Sequence, residues 1–409
     1  MSPLHEQRYD VIIAGGGMVG SALACLLSGH GLEVAVIDRD GAPLEPFPAT
    51  YATRTSAITE ATRRLFVAIG AWRGMQARRV FPYRTMEVRD AGSGARLHFD
   101  SADAGTPDLG HIVENRVILA ALRERLAEHR NIHLIAPAEP AALHLDSDAA
   151  RLRLDDGRHL AAPLLVAADG GRSRIRELAG LTTWGWHGDH HAVVTWVRCA
   201  ESHQNSCYQR FLPDGPVGFL GFDPHHASIV WSTTPERAEA LAAMDEAVFC
   251  AELGAALEHR FGAVEACGER AVWPLVPHHA HHYTRPRLAL VGDAAHRIHP
   301  LAGQGVNIGL LDAAALAEVV GEAHRSGREI GDHAVLRRYE RWRKGDNLTV
   351  QLAMEAIKRL FAVDATPFTA LRGTGLRLLD RAEPIKKPMI RRAMGLSGDL
   401  PRVVKSSGG

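Results

Sequence analysis

The sequence predicts an α/β protein: a nucleotide-binding unit of parallel strands and helices, an antiparallel β-sheet inserted into it, and a helical C-terminal region. Three observations carry this. The first apolar run, Tyr9–Ala14, leads straight into Gly15-x-Gly17-x-x-Gly20. Two later apolar runs end in glycine–acid pairs, Asp169-Gly170 and Gly292-Asp293. Between those pairs, residues 190–233 alternate polar and apolar side chains with the period of half-buried strands.

The opening segment has the full context that a dinucleotide fingerprint needs. Tyr9–Ala14 is short, apolar and β-branched at its centre, as a buried parallel strand should be. Met18–Leu27 follows with small and apolar residues on the inner side of a helix. Gly15 permits the tight turn, Gly17 lets backbone N–H groups approach a pyrophosphate, and Gly20 allows the helix to pack closely on the strand. The helix N-terminus adds partial positive charge for the phosphates. A second strand, Glu33–Ile37, ends at Asp38, whose carboxylate would accept a ribose hydroxyl. At this stage the ligand is NAD or FAD.

After a stretch holding Pro43, Pro46 and Pro48, Arg54-Thr-Ser-Ala-Ile-Thr is expected to open a helix. Residues 85–99 read as a hairpin around Gly92-Ser-Gly94, and Val117–His129 as a helix. Short strands are expected near 132–136, 142–146 and 151–160, and Leu164–Ala168 delivers Asp169. Segment 236–262 has the pattern of one or two amphipathic helices. Leu288–Val291 leads into Gly292, and a long helix begins near Gln304 or Gly305. Beyond Leu336 the chain reads as helical, with breaks expected at Pro367, Pro384 and Pro388. The division that results assigns 1–75, 106–185 and 275–335 to the nucleotide-binding unit, with 76–105 (the hairpin) and 186–274 forming the substrate sheet. Residues 336–409 form the helical region.

Composition narrows the class. The chain has 409 residues, 46% hydrophobic and 23% charged, typical of a soluble globular enzyme. No apolar run approaches the roughly 18–20 residues that span a bilayer. The N-terminus lacks a signal-peptide core, and the five cysteines contain no CxxC pair, so a disulfide framework is not expected and the cytoplasm is the default compartment. Net charge is zero, but residues 336–409 hold 16 Lys/Arg against 7 Asp/Glu. Such a tail can dock on the acidic remainder of the chain or sit peripherally on an anionic inner-membrane surface or partner complex. Nucleic acid is not an expected partner, since no aromatic–basic patch is present in the body.

Asp169-Gly-Gly-Arg-Ser-Arg-Ile-Arg176 follows a strand and opens a helix, so its carboxylate and glycine can meet a ribose or pyrophosphate, while Arg176 can pair with Asp169 or reach phosphate. Asp293 stands at a strand end, placed to bind a sugar hydroxyl. Gly303 and Gly305 free backbone N–H groups at a helix N-terminus, which would stabilise negative charge on the pyrimidine edge of a reduced flavin. His296 and His299 flank this loop, and packing or hydrogen-bonding roles are expected for both. The 23 histidines, including His278-His279-x-His281-His282, lack the ligand spacing of a preformed site, and no metal is expected.

These three signatures together resemble the group A flavoprotein monooxygenases, FAD-dependent aromatic hydroxylases with a p-hydroxybenzoate-hydroxylase-like, Rossmann-like fold. Arg54-Thr-Ser-Ala-Ile, Glu114-Asn-Arg116, His299-Pro-Leu-Ala-Gly-Gln-Gly-Val-Asn307-Ile-Gly-Leu-Leu-Asp312 and Arg392-Ala-Met-Gly-Leu-Ser-Gly-Asp-Leu-Pro are similar to the ubiquinone-biosynthesis hydroxylases (UbiH/UbiF/VisC type). The likeness covers essentially the whole chain. One departure stands out: Phe219-Leu-Gly-Phe222 lacks a proline common in that strand.

The resemblance implies an extended FAD with its adenosine at Asp38 and its isoalloxazine near Pro300, Gly303, Gln304, Gly305, Val306 and Asn307. Arg54 would lie by the flavin and Arg116 by the pyrophosphate. It also implies NAD(P)H as electron donor, O₂ as co-substrate and a flavin C4a-hydroperoxide that adds oxygen to a phenolic ring. No side-chain nucleophile is then needed. The implied substrate is a polyprenylated aromatic ubiquinone precursor. A soluble phenol or polyketide as substrate, or a non-catalytic flavin-binding subunit of a quinone-biosynthesis assembly, would leave the same glycine and acid signatures. Trp184, Trp186, Trp196, Phe211, Phe219 and Trp231 are candidates for an apolar pocket, at least half of them expected to be sheet core instead.

Overall fold

A computed structural model describes residues 6–41, 50–185, 190–298, 305–362 and 366–405. At its centre lies a six-stranded sheet whose spatial order is Thr284–Arg285, Leu288–Leu290, Leu164–Ala167, Val11–Ala14, Val34–Ile37 and Ile132–Ile135. All but the first run parallel. Val11–Ala14 and Leu164–Ala167 are buried on both faces, which is why they read as unbroken apolar runs. In register, Ile13 lies between Val36 and Val166. From Val11–Ala14 the chain moves outward to Val34–Ile37, and later strands add on the opposite side. The strand order therefore reverses there, and a crevice opens beyond the carboxyl ends, the position where open α/β sheets bind ligands. Helices Met18–Ser28 and Gly305–Arg325 pack against each other beside this crevice.

The second large sheet has eight strands and takes in the hairpin Thr85–Asp90 with Arg96–Asp100. Its strands are antiparallel except where Thr85–Asp90 runs parallel to Ser206–Leu212. Alternation divides its faces. Val193, Val197, Val217, Phe219, Ile229 and Trp231 form a core with helices Pro235–Ala243 and Glu246–Ala256. Ala192, Val194, Val230 and Leu275 form the opposite face.

Two local expectations are corrected. Arg54-Thr-Ser-Ala-Ile-Thr does not open a helix: Thr55–Ile58 is a strand paired with Gly110–Glu114, and the helix starts at Glu60. Thr59 caps that helix by accepting from the Thr62 N–H, so its threonine marks the cap rather than the first turn. Pro388 does not break the chain either. It sits inside Glu383–Ala393, where the N–H it lacks would have bonded the exposed Pro384 carbonyl, which water can satisfy. Pro367 and Pro384 occupy first turns, where proline is tolerated.

The basic C-terminal region is tied to the body by carboxylates. Arg372 donates to both oxygens of Asp90, at 2.8 and 3.0 Å, from a buried position. Lys386 meets Asp103 at 3.3 Å, and Arg402 reaches Glu318 and Glu322, each at 3.2 Å. Part of the positive excess is thereby spent on the acidic body.

Candidate active site

The three turns converge. Gly15 has φ +106°, and a Cβ there would lie 2.4 Å from the Ala168 carbonyl oxygen. A Cβ on Gly20 would lie 1.9 Å from the Gly15 carbonyl oxygen. Both glycines therefore serve strand–helix packing. Gly17 differs: its Cβ would meet nothing within 4 Å, and the residue lines the cavity described below. Gly17 caps helix Met18–Ser28 without any side-chain hydrogen bond, and the first turn carries no acidic residue. A helix start of this kind presents donor groups and partial positive charge to an anion.

Asp169 stands at the end of the neighbouring strand. Its Oδ2 accepts from the Ile175 N–H at 3.0 Å, while its buried Oδ1 has no hydrogen-bond partner among the described residues. Burial raises its pKa, opposed by the Ser173 hydroxyl and nearby backbone N–H groups. The third turn, Gly292–Ala294, approaches helix Gly305–Arg325 so closely that a Cβ on Gly309 would lie 3.0 Å from the Gly292 Cα.

Between these turns and the apolar face of the second sheet lies a cavity of about 300 Å³. Gly17, Gly170, Asp293, Gly305 and Val306 line one side, and Ala192, Val194, Val230 and Leu275 the other. Val194 and Val230 are direct cross-strand partners, so the register itself builds the apolar wall. Arg54 stacks its guanidinium 5.2 Å from the Trp273 ring centre, and both residues line the cavity with Ser56, Asn115 and His296.

Other expected site residues have partners within the protein or lie outside the described residues. Asp38 ends its strand beside Gly16, with Oδ2 taken by Arg123 at 2.9 Å and Oδ1 accepting from the Asp40 N–H at 2.8 Å. Arg116 bonds the Glu114 carboxylate and the Thr50 carbonyl, and is not among the lining residues. Asn307 turns its side chain away from the cavity, donating to the Ala57 carbonyl at 2.7 Å and accepting from the Thr59 N–H at 3.1 Å. Arg176 donates to the Ala294 and Gly171 carbonyls, linking the second and third turns, rather than bonding Asp169. His299, Pro300, Gly303 and Gln304 lie outside the described residues.

None of the candidate pocket aromatics among the described residues lines the cavity, and two of them, Phe219 and Trp231, are sheet core. Phe219 stacks on Phe261 and Trp231 is buried in the same cluster. Phe211 stacks on Phe361, and Trp184 packs against His279. Trp186 lies outside the described residues. Trp196 alone shares strand parity with Ala192 and Val194, next to a cluster of Tyr51, Phe81 and Phe222. Tyr51 stacks on Phe222 at 4.7 Å, so the end of the Phe219–Phe222 segment carries an aromatic pair.

Sequence reasoning missed the polar group behind the cavity. Asp312 is fully buried and accepts from Arg343 Nε and Asn347 Nδ2, each at 2.9 Å, and from the Gly292 N–H at 3.2 Å. His296 Nε2 lies 2.5 Å from Oδ2, the oxygen that also takes the Gly292 N–H. Burial alone would raise the Asp312 pKa, but His296, Arg343 and Asn347 outweigh it and hold it at about 2. The available signal was a carboxylate flanked on both sides by apolar residues, Gly309-Leu-Leu-Asp312-Ala-Ala-Ala-Leu316.

An extended dinucleotide fits this arrangement: the clear space at Gly17, the turn at Gly170 and the helix start at Gly305 line one cavity, and Asp169, next to Gly170, keeps a buried oxygen without a partner among the described residues. Fold and site together define a flavin-dinucleotide oxidoreductase. The chain belongs to the FAD binding domain family, which matches residues 8–347. It is 38% identical over 395 residues to the 3-demethoxyubiquinol 3-hydroxylase of Escherichia coli, covering 96% of this chain and 100% of that one. The ubiquinone hydroxylase of Rhodospirillum rubrum is 38% identical over 98% of this chain and 93% of its own. A mitochondrial ubiquinone biosynthesis monooxygenase of Xenopus tropicalis is 34% identical over 93% of this chain and 92% of its own. Among solved structures, the p-nitrophenol 4-monooxygenase of Pseudomonas putida shares the fold, with a TM-score of 0.78 at 18% identity over 96% of this chain and 99% of that one. The protein is an FAD-dependent monooxygenase.

Proposed function

We propose that the protein hydroxylates the phenolic ring of a polyprenylated ubiquinone precursor, using O₂ and a reduced donor, NAD(P)H. The observation that carries this reading is the single cavity shared by the three nucleotide turns and the apolar face of Ala192, Val194, Val230 and Leu275. In this reading Gly17 and Gly170 approach the pyrophosphate, Asp38, Asp169 and Asp293 meet sugar hydroxyls, and Gly305 and Val306 present N–H groups to the flavin ring. When bound, FAD supplies the redox chemistry that activates O₂.

The chain's own residues do the rest. The apolar wall excludes water from the reacting ring. The start of helix Gly305–Arg325 stabilises negative charge at the cavity, and the carboxylate of Asp312 holds the His296 imidazole in one orientation from behind. Arg54 keeps a cation at the cavity edge, braced on Trp273.

The test is NAD(P)H oxidation by purified enzyme with prenylated and soluble phenols, under ¹⁸O₂, with mass analysis of the product. One labelled oxygen in a prenylated phenol is expected. Turnover restricted to soluble phenols, or no label in any product, would sink the assignment.

We also infer that helices Thr366–Arg381 and Glu383–Ala393 bring the enzyme to a membrane surface where such a substrate resides. Phe368, Leu371, Leu378 and Ile385 are each at least 58% exposed, with Lys387 and Arg391 nearby in sequence. No helix among the described residues is long and apolar enough to cross a membrane. Truncation before Leu336 is a poor test, since it removes Arg343 from the buried carboxylate of Asp312. A Phe368→Glu/Leu371→Glu variant should instead lose flotation with anionic vesicles while keeping its flavin. Equal recovery with wild type would end the membrane reading.

A further inference from the structure

On the far side of the substrate sheet from the cavity, helix Glu246–Ala256 packs against strand Val264–Cys267. Glu246 and Cys250 stand one turn apart on that helix, so both project to the same side. Cys267 closes the strand directly over them. A carboxylate oxygen of Glu246 and the sulfurs of Cys250 and Cys267 lie within 4.8 Å of one another, and no other such group occurs among the described residues. The Cys267 N–H donates to Glu246 Oε1 at 3.0 Å, which fixes the carboxylate against the strand end.

We propose that Glu246, Cys250 and Cys267 form a binding site for one thiophilic divalent cation, of which Zn²⁺ is the representative. The dimensions suit it. With Zn–S bonds of about 2.3 Å, two sulfurs on one tetrahedral ion stand roughly 3.8 Å apart, within the observed spacing. Two thiolates and a carboxylate supply three ligands, leaving the fourth position to water. Charge also balances: three anionic ligands around a dication leave one negative charge, and Arg270 acts electrostatically on both thiols. The site opens onto a groove of about 650 Å³ lined by Glu246, Cys250, Val264 and Glu265, so the ion has a route in.

Without a cation the two sulfurs are neutral thiols. Burial and the neighbouring Cys267 push Cys250 up to about 12, and burial raises Cys267 as well. Binding therefore breaks two S–H bonds, releases two protons to solvent and forms two Zn–S bonds, with no change of oxidation state. None of the three residues lines the catalytic cavity, so the ion serves to clamp helix to strand.

The test uses reduced, chelator-treated flavoprotein titrated with Zn²⁺ against a chromophoric competing chelator, with bound metal and flavin both quantified after desalting. One zinc per flavin is expected in wild type. Cys250→Ser and Cys267→Ser should each weaken binding by more than about 100-fold and Glu246→Gln by about 10-fold, as losses of ligands. Cys199→Ser, a buried thiol elsewhere in the sheet, should retain the full zinc content. X-ray absorption of the zinc-loaded wild type should show two sulfur neighbours, which keeps the test decisive if a serine variant fails to fold. No zinc in wild type, zinc retained by Cys250→Ser or Cys267→Ser, or a sulfur-free zinc environment would overturn the site.

Discussion

The imidazole of His296, at the cavity wall, sits 2.5 Å from the carboxylate of Asp312, which is completely buried. Asp312 is also the partner of Arg343, itself 1% exposed, so one carboxylate joins the third nucleotide turn to the long helix His333–Ala362. Asp312→Ala should cost about 3–5 kcal/mol, because it strands a buried guanidinium. Urea denaturation measures this; a loss under about 1 kcal/mol would show that water replaces the carboxylate.

Gly17 and Gly15 should separate binding from folding. A side chain at Gly15 strikes the Ala168 backbone, whereas one at Gly17 meets no protein atom. Gly17→Val should therefore fold with an unchanged melting temperature in the flavin-free form and lose FAD affinity by about 100-fold or more, the equivalent of roughly 3 kcal/mol. Gly15→Val should instead melt early. Flavin fluorescence titration and calorimetry distinguish the two, and full flavin occupancy in Gly17→Val would contradict the pyrophosphate assignment.

His279 should make stability fall in weak acid. It is buried with Nδ1 2.9 Å from Gln351 Oε1 and Nε2 3.2 Å from the Tyr283 hydroxyl. Burial lowers its pKa from 6.5 to about 4, with the His296 ring and Lys344 adding to the effect and Gln351 opposing it. The unfolded chain takes up this proton near pH 6.5 and the folded chain only near pH 4. The contribution is thus present above pH 6.5 and is lost as pH falls toward 4, about 3 kcal/mol in all. His279→Gln should flatten that part of the pH–stability curve. An unchanged slope would mean that His279 is already charged in the fold.

Arg372 and Asp90 should govern docking of the C-terminal helices on the substrate hairpin. Their bidentate pair is buried on both sides. Arg372→Met leaves Asp90 charged without its guanidinium and should cost about 3 kcal/mol. Limited proteolysis should then cut first beyond residue 362, and protection equal to wild type would count against the role.

Local chemistry made the nucleotide-binding part legible. Each strand–glycine–helix turn is specified by residues adjacent in the chain, so Gly15, Gly17, Asp169 and Gly292 announce their backbone geometry without knowledge of the fold. Thr55–Ile58 misled because its strand depends on pairing with Gly110–Glu114, more than fifty residues away. The aromatic candidates misled for a related reason. Alternation reveals that a strand has two faces, but not which face meets the cavity.

The sequence by itself therefore determined the dinucleotide-type fold class, most of the order of the elements and the three glycine turns, because backbone conformation and short-range spacing are written in consecutive residues. Only the tertiary structure decided that Asp312 takes Arg343 as its partner, that Trp273 rather than Trp231 borders the cavity, and that Cys250 meets Cys267. These depend on which surfaces of distant segments become buried together, and burial is a property of the whole packed chain.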